Sequence, residues 1–302
     1  MNASRTRDTI EIVEVGPRDG LQNESTILTT HQKIDLINHL VRAGVRRIEA
    51  VSFAHPTYVP QMADAEAVMA GIDAVEGVSY IGLVMNAKGF ERALATRVDE
   101  INMPIMATDT FNRENQGATT AESIAVLRDA VAAAHARDVS VSATIGVAWG
   151  CPLEGEVPLT GLLSVAEAVV ATGVDEIALA DSLGVAEPWG VTERIDAVAT
   201  VTGDMALRVH FHDTRNTGIA NTYAAIQSGV RVVDASVGGI GGCPFAPAAT
   251  GNIPTDDLVY MLDRAGFSHG LSLDGLIGVS GEVADALGKD VPAMLPRAGG
   301  FP

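Results

Sequence analysis

Basic residues are scarce in this chain of 302 residues: 20 lysines and arginines stand against 38 aspartates and glutamates, a formal net charge of −18. Nucleic acids and anionic membranes are bound through basic patches, so a chain this acidic is a poor candidate for either partner. An anionic small molecule would need a local cluster of arginine, metal or helix N-termini. We expect a small-molecule substrate and neither a nucleic-acid nor a membrane partner.

Cysteines and aromatic residues are also few. Cys151 and Cys243 are too few for a disulfide framework and fit a reducing compartment. Aromatic residues make up 4% of the chain, so the core must come mainly from alanine, valine, isoleucine and leucine. No apolar run approaches the ~18 residues of a membrane span, and the first residues lack the apolar segment of a signal peptide. These absences predict a cytoplasmic location.

The chain does contain a regular alternation of two patterns. Short apolar or β-branched runs predict strands at 10–16, 47–53, 79–85, 100–106, 139–147, 176–181, 207–213 and 232–239. Alanine-rich helical patterns follow them at 30–43, 61–71, 88–97, 119–137, 160–173, 187–201, 215–229 and 255–266. Eight strands that alternate with eight helices indicate a parallel sheet with helical crossovers.

A closed barrel fits this alternation better than an open sheet. A doubly wound sheet usually has a glycine-rich turn after its first strand. The first predicted strand of this chain ends in GPRDG, which contains no G-x-G-x-x-G. The length also suits one barrel. We predict the α/β class, with a (β/α)₈ TIM barrel over residues 8–270 and a short C-terminal helical extension over 271–302. Its chemistry should lie at the carboxyl ends of the strands.

Two histidines give the most specific chemical signal. His210 and His212 fall on the seventh predicted strand, where residues i and i+2 share a face. Two imidazoles beside a carboxylate suit Mg²⁺, Mn²⁺ or Zn²⁺. Alternatively, both are buried histidines whose partners are carboxylates. Asp19 and Asn252 follow other predicted strands, and their availability favours the metal interpretation.

Charged residues at other strand ends have two interpretations each. Arg18 and Asp19 form either a salt bridge that caps the barrel or a functional pair, in which Asp19 binds metal and Arg18 stabilises an oxyanion. Glu14, Glu49 and Asp181 lie in strand-like segments, where carboxylates are rarely buried unpaired. We interpret Glu14 and Glu49 as supports for Arg18 and the histidines. Asp181 is either a further support or the general base.

The run GGIGGCPFAPAATGN, residues 238–252, surrounds one cysteine with glycine and proline. It could be a phosphate-binding loop, a plain turn or a mobile loop that carries a thiol. Cys243, between Gly242 and Pro244, cannot pack like a strand residue, so we interpret it as presented to solvent or substrate. Cys151 is better interpreted as a small buried hydrophobic residue.

Five segments together resemble the 3-hydroxy-3-methylglutaryl-CoA lyase family, a group of TIM-barrel metallolyases. They are VEVGPRDGLQNE (13–24), SFAHPTYVPQM (52–62), GCPLEG (150–155), VHFHDT (209–214) and SVGGIGGCPFAPAATGN (236–252). The resemblance runs from about residue 10 to residue 266. It implies cleavage of a 3-hydroxy-3-methylglutaryl-CoA-like thioester into acetoacetate and acetyl-CoA, a place in leucine degradation, and a homo-oligomer, dimer or tetramer.

The resemblance also implies roles for individual residues. Metal ligands for Mg²⁺ or Mn²⁺ are expected at Asp19, His210, His212 and Asn252. Arg18 is the expected enolate stabiliser, Cys243 the acid, and either Asp181 or His210 the base, with Glu14 and Glu49 in support. Substrate contacts are expected from Arg18, Gln22, Ser52 and Thr144.

Several positions depart from the family pattern. Ala178 replaces a serine, Ala248 replaces a glycine, and Met103 and Pro104 are unexpected on the fourth strand. The departures affect pocket positions rather than the chemistry. They leave open a lyase of the same mechanism that acts on another 3-hydroxyacyl-CoA, such as citramalyl-CoA. A Claisen-type synthase is disfavoured, since such relatives carry long C-terminal extensions and lack the cysteine loop.

Overall fold

The eight predicted strands form a closed parallel barrel. The computed structural model describes residues 8–243 and 246–301, and only the backbone of residues 243 and 246–250. In this part of the chain the barrel strands are β1 (Glu11–Glu14), β2 (Arg47–Ser52), β3 (Ser79–Leu83), β4 (Glu100–Met106), β5 (Ser140–Gly146), β6 (Glu176–Asp181), β7 (Ala206–Phe211) and β8 (Val232–Ala235). Each strand pairs with the next one in sequence, and β8 pairs with β1 to close the barrel. The predicted α/β barrel is confirmed.

Helices connect the strands and surround the barrel. Over the described residues they are α1 (Thr30–Arg42), α2 (Ala65–Gly71), α3 (Ala87–Leu94), α4 (Asp109–Gln116), α5 (Thr120–His135), α6 (Leu159–Val170), α7 (Pro188–Thr202), α8 (Gly218–Gln227), α9 (Thr255–Ala265), α10 (Leu273–Leu287) and α11 (Leu295–Ala298). None of these helices is long and apolar enough to cross a membrane. The boundary predicted at residue 270 falls between α9 and α10.

Local sequence explains where several helices begin. Thr29 caps α1 and Thr119 caps α5, and each forms a reciprocal capping box with the side chain three residues later, Gln32 or Glu122. The helix α4 has no counterpart among the predicted helices, because DTFNRENQ is short and almost wholly polar. This helix nevertheless matters, because it lines the mouth of the cavity described below.

The core lies in the shell between the strands and the helices, and aliphatic residues dominate it. Strand β6, EIALAD, is buried along its whole length, as expected for a parallel strand covered on both faces. The barrel interior, in contrast, contains charged residues at both ends.

The amino-terminal end of the barrel is filled by ion pairs. We call Arg47, Glu100, Glu176 and Arg208 the lower ion-pair layer. Arg47 Nη2 lies 2.8 Å from Glu100 Oε1 and 2.8 Å from Glu176 Oε1. Arg208 is 1% exposed, and its Nε lies 3.2 Å from Glu176 Oε1. Two arginines and two glutamates thus balance one another inside the barrel.

Candidate active site

A cavity of about 710 Å³ opens at the carboxyl ends of the strands. Six of the residues predicted for the site line it: Arg18, Asp19, Gln22, Thr144, His210 and His212. They come from the turn after β1, from β5, and from β7 and the residue after it. The barrel therefore brings together side chains that lie up to about two thirds of the chain apart in sequence.

Three of the lining residues could hold one cation. Asp19 lies in a π-helical turn, Gly16–Gly20, directly after β1. Its Oδ2 is 3.9 Å from Nε2 of His210 and 3.9 Å from Nε2 of His212. A ligand atom from each of the three residues lies within 4.8 Å of the other two. The alternation of the strand, as predicted, turns both imidazoles toward this point.

Asn252 completes this group from the opposite side. Its Nδ2 donates to Asp19 Oδ2 at 2.9 Å and to the carbonyl of Ile240 at 3.1 Å. Its Oδ1 is buried and has no hydrogen-bond partner among the described residues. Buried amide oxygens are rarely left unsatisfied. An unsatisfied amide oxygen beside two imidazoles and a carboxylate fits a mixed N/O site for a divalent cation. We call Asp19, His210, His212 and Asn252 the metal cluster.

The charges around Asp19 and His212 favour forms that can bind metal. Burial lowers the pKa of His210, but the hydrogen bond to Asp234 and the charge of Asp19 outweigh that effect and leave its pKa above the usual value. Burial raises the pKa of Asp19, but Arg18 and the two histidines outweigh that effect and leave the pKa below its usual value. Burial and the adjacent His210 lower the pKa of His212 to about 4. An ionised carboxylate and a neutral imidazole are the forms that ligate metals.

Arg18 is held by two carboxylates. Its Nε donates to Glu49 Oε2 at 2.6 Å, its Nη2 also contacts that oxygen, and its Nη1 donates to Asp19 Oδ1 at 2.5 Å. Behind it, Glu49 Oε1 accepts a hydrogen bond from Asn102 Nδ2 at 2.9 Å, and Asn102 Oδ1 accepts one from Thr144 Oγ1 at 2.9 Å. This chain fixes the guanidinium at the cavity wall. Asn102 also lines the cavity and was missed by the sequence interpretation.

Glu14 supports the site from below. One of its oxygens accepts from the backbone N–H groups of Gly16 and Val237, at 2.8 and 2.9 Å, and the other accepts from Thr255 Oγ1 at 2.7 Å. Burial is the main reason that its pKa is raised to about 8. The carboxyl group joins the turn that carries Arg18 to the segment that leads to the cysteine loop.

Two predicted residues lie away from the cavity. The Asp181 carboxylate accepts from the backbone N–H groups of Val185 and Ala186, at 3.1 and 2.8 Å, and burial raises its pKa. Ser52 is fully buried, and its Oγ accepts from Ala54 N at 3.2 Å. Neither residue is among the described residues that line the cavity. Their predicted roles, as a base and as a substrate contact, stay predictions.

The cysteine loop forms a hairpin at the cavity edge. The backbone of Gly242–Cys243 pairs antiparallel with Ala246–Thr250, and Gly242 lines the cavity. Gly241 has φ +126°, and a Cβ there would lie 2.6 Å from Asn252 Nδ2, so glycine is required beside this ligand. The side chain of Cys243 lies outside the described residues, as does Phe245.

The other cysteine has the environment predicted for it. Cys151 is free and buried in the core, and Thr108 Oγ1 donates to its sulfur at 3.2 Å.

Asp234 is a second residue that the sequence interpretation missed. It lies on β8, lines the cavity, and its Oδ2 is 3.1 Å from His210 Nδ1. The sequence did contain an indication, because a carboxylate in the middle of the apolar strand VVDASV predicts a buried partner, since buried strands rarely contain unpaired acids. Its contact with a histidine 24 residues earlier required the barrel register to be known.

Comparisons with known proteins agree with this geometry. The family model described as HMGL-like matches residues 9–283. The chain is 38% identical to a hydroxymethylglutaryl-CoA lyase of Bacillus subtilis over 94% of this chain and 95% of that protein. It is 42% identical to the mitochondrial hydroxymethylglutaryl-CoA lyase of Rattus norvegicus, over 96% and 89% of the two chains. An HMG-CoA lyase from Acinetobacter baumannii, solved in complex with coenzyme A and 3-methylmalate, superposes with a TM-score of 0.93 at 39% identity, over 97% and 96% of the chains.

Proposed function

The chain belongs to the HMGL-like family, and from that premise we propose that it is a carbon–carbon lyase that cleaves 3-hydroxy-3-methylglutaryl-CoA into acetoacetate and acetyl-CoA. One observation carries the proposal: Asp19, His210 and His212 of the metal cluster line the same cavity as Arg18 at the carboxyl end of the barrel. This is where barrel enzymes place their chemistry.

The cavity suits a thioester of coenzyme A. Its volume lies within the ~300–1,000 Å³ range of small-molecule sites, and residues of α4 contribute to its wall. The relative from A. baumannii was solved with coenzyme A, which supports the same class of substrate here. We assign the acyl group to the cavity floor, beside Arg18 and Thr144.

The metal cluster fits Mg²⁺ or Mn²⁺, since its donors are two imidazole nitrogens, a carboxylate and an amide oxygen. A divalent cation bound there would act as a Lewis acid that lowers the pKa of the substrate's tertiary hydroxyl. Asp19 orients the cluster through its contacts with both histidines and with Asn252.

Arg18 has the position required to stabilise the enolate. When the bond between C2 and C3 breaks, C3 becomes the ketone of acetoacetate and the electron pair moves to the thioester as an enolate. Glu49 and Asp19 hold the guanidinium at the cavity wall, so it need not reorganise as this charge develops. A preorganised donor of this kind contributes about 3 kcal/mol to transition-state stabilisation.

Two protons must move in this reaction. The hydroxyl proton leaves C3–OH for a base, and a proton must reach C2 of the enolate to give acetyl-CoA. The two predicted bases are Asp181, whose pKa burial raises but which does not line the cavity, and His210, which lines the cavity but whose Nε2 faces the metal cluster; we propose that the hydroxyl proton passes to one of these two residues. For the second transfer we propose the thiol of Cys243, because the adjacent Gly242 lines the cavity edge.

A substrate comparison tests the proposal. The protein is incubated with Mg²⁺ and either 3-hydroxy-3-methylglutaryl-CoA or citramalyl-CoA, and the products are identified by mass spectrometry. We expect acetyl-CoA and acetoacetate from the first thioester at the higher kcat/KM. Faster cleavage of citramalyl-CoA, or condensation without cleavage, would overturn the assignment. The cytoplasmic location and the homo-oligomeric state stay predictions.

A further inference from the structure

The two histidines of the metal cluster differ at the ring nitrogen that faces away from it. His210 Nδ1 lies 3.1 Å from Asp234 Oδ2. His212 Nδ1 is buried and has no hydrogen-bond partner among the described residues. The ring centroids lie only 5.2 Å apart, so two chemically identical groups occupy one pocket with different surroundings. One imidazole is oriented by a carboxylate and the other is not.

Asp234 is itself positioned by the lower ion-pair layer. Its Oδ1 lies 3.5 Å from Arg208 Nε, an ion pair without a hydrogen bond. Arg208 is in turn fixed by Glu176, 3.2 Å away, and its Nη2 donates to Ser142 Oγ at 3.3 Å. Asp234 therefore contacts one member of each charged group, His210 of the metal cluster and Arg208 of the lower ion-pair layer.

The chemistry of this contact selects one form of His210. An ionised carboxylate can only accept hydrogen bonds, so the proton between the two groups must be carried by Nδ1. In the neutral imidazole, which is the form that ligates metals, Nε2 then keeps its lone pair, and that atom faces Asp19. A hydrogen bond at the remote nitrogen fixes both the tautomer and the orientation of a ligating ring.

We propose that Asp234 is a positioning residue for metal binding, which holds His210 in its Nδ1–H tautomer with Nε2 directed at the cation, and that Arg208 holds Asp234 in place. This inference rests on the metal site of the proposed function. It gives strand β8 a role in the metal site, because Asp234 on that strand positions His210. It also makes His210 the better oriented of the two imidazole ligands.

The first test measures binding of Mn²⁺ to metal-free protein, by electron paramagnetic resonance of the unbound ion. The variant Asp234→Asn keeps the side-chain shape but offers an amide in place of the carboxylate. We expect its affinity for Mn²⁺ to be about 10- to 100-fold weaker than that of the wild type. Asp256→Asn is the matched control, since it replaces another fully buried aspartate, whose carboxylate is bonded to Gly238 N and Ser280 Oγ and contacts neither a histidine nor Arg208 in these hydrogen bonds. Its affinity should stay within about two-fold of the wild type.

The outcomes separate the inference from the proposed function. If the wild type binds no Mn²⁺, the metal site is wrong and the inference falls with it. If the wild type binds Mn²⁺ and Asp234→Asn binds equally well, the inference alone is wrong. Equal weakening in both variants would show a general effect of removing a buried carboxylate, and this too would overturn the role of Asp234.

A second measurement needs no variant. The ring nitrogens of ¹⁵N-histidine-labelled wild type are observed by nuclear magnetic resonance with and without Mg²⁺. We expect one buried imidazole, assigned to His210 by the proximity of its Nδ1 to Asp234, to carry its proton on Nδ1 in both states and to shift at Nε2 on addition of Mg²⁺. A proton on Nε2 of that ring in the metal-free protein would overturn the inference.

Discussion

The barrel interior contains two charged groups at its opposite ends, and they differ in how their unsatisfied atoms are compensated. In the lower ion-pair layer, both glutamates contact Arg47, and Ser142 Oγ donates to Glu100 at 2.6 Å. Arg208 Nε has no hydrogen-bond partner among the described residues, but it lies 3.2 Å from Glu176 Oε1, so its charge is paired. In the metal cluster, Asn252 Oδ1 and His212 Nδ1 have no partner among the described residues. Both groups are buried, so exposure does not explain the difference.

The difference separates a structural role from a chemical one. Buried charges are tolerated when they are paired, and breaking such a pair costs about 3–5 kcal/mol because one charge is left uncompensated. The lower ion-pair layer meets this condition with protein atoms alone. The metal cluster leaves Asn252 Oδ1 unsatisfied, which is costly unless a ligand satisfies it. Variants in the first group should therefore change stability, and variants in the second should change activity.

Among the tests of this comparison, removal of the metal should have the largest effect on activity. Excess EDTA is expected to abolish lyase activity, because the cluster then has no cation to activate the hydroxyl, and added Mg²⁺ or Mn²⁺ should restore it. Circular dichroism should show the barrel still folded, since the lower layer holds no metal. The assay follows acetyl-CoA release before and after chelation. Full activity in excess EDTA would contradict the chemical role proposed for the metal cluster.

Two matched arginine variants test the same comparison next. Arg18→Gln should lower kcat by about 10²–10³-fold, because it removes the charged donor for the enolate. Arg47→Gln removes an arginine from the other end and should lower the free energy of unfolding by about 3–5 kcal/mol, with kcat of the folded enzyme within a few-fold of the wild type. Steady-state kinetics and urea unfolding are measured for both. If Arg47→Gln lowers kcat as much as Arg18→Gln does, the two ends of the barrel interior do not have separate roles in stability and in catalysis.

The two cysteines extend the comparison beyond the barrel interior. Cys243→Ser should lower kcat by about 10²–10⁴-fold, the range for a positioned general acid, because a hydroxyl is a much weaker acid than a thiol. Cys151→Ser places a hydroxyl in the core near Thr108, where it should affect mainly stability. Rates are compared at saturating substrate. Equal losses of kcat in the two variants would contradict the role of general acid proposed for Cys243.

The sequence was sufficient to predict the barrel and which charged side chains meet at its carboxyl end, and less so the residues that support them. Alternating strands and helices predicted the barrel, and H-x-H on one strand predicted that two imidazoles face the same point, because strand periodicity is a local property. The roles of these residues stay predictions. Asn102 and Asp234 were missed because their partners, Glu49 and His210, are 53 and 24 residues away and become neighbours only through the barrel register. No pattern within one strand contains that information.

Six of the eight predicted strands run past their observed ends, and the first and last strands show why. The prediction for β1 ran to residue 16 and that for β8 to residue 239, whereas the strands end at Glu14 and Ala235. A π-helical turn and a 3₁₀ turn replace the missing residues, and Glu14 accepts a backbone hydrogen bond from each segment. Apolar composition continues through both turns, so composition could not show where the strands end.

The smallest predicted effect is a pH dependence of stability that arises from Glu14, which lies outside both charged groups. Its pKa is about 8 in the folded protein and ordinarily 4.5, so the folded state binds a proton more tightly than the unfolded state. The stabilisation from this proton is fully present below about pH 4.5 and is lost as the pH rises to about 8. Its size is on the order of a few kcal/mol.

The matched variant Glu14→Gln can keep the acceptor for Gly16 and Val237 but cannot titrate. The free energy of unfolding, measured with urea at pH 5 and pH 8, should therefore fall more in the wild type than in the variant. Other groups titrate in both proteins and cancel in the difference. Parallel pH profiles would mean that Glu14 is already ionised in the folded protein. Its three hydrogen bonds would then outweigh burial, and this carboxylate would resemble the fully paired glutamates of the lower ion-pair layer.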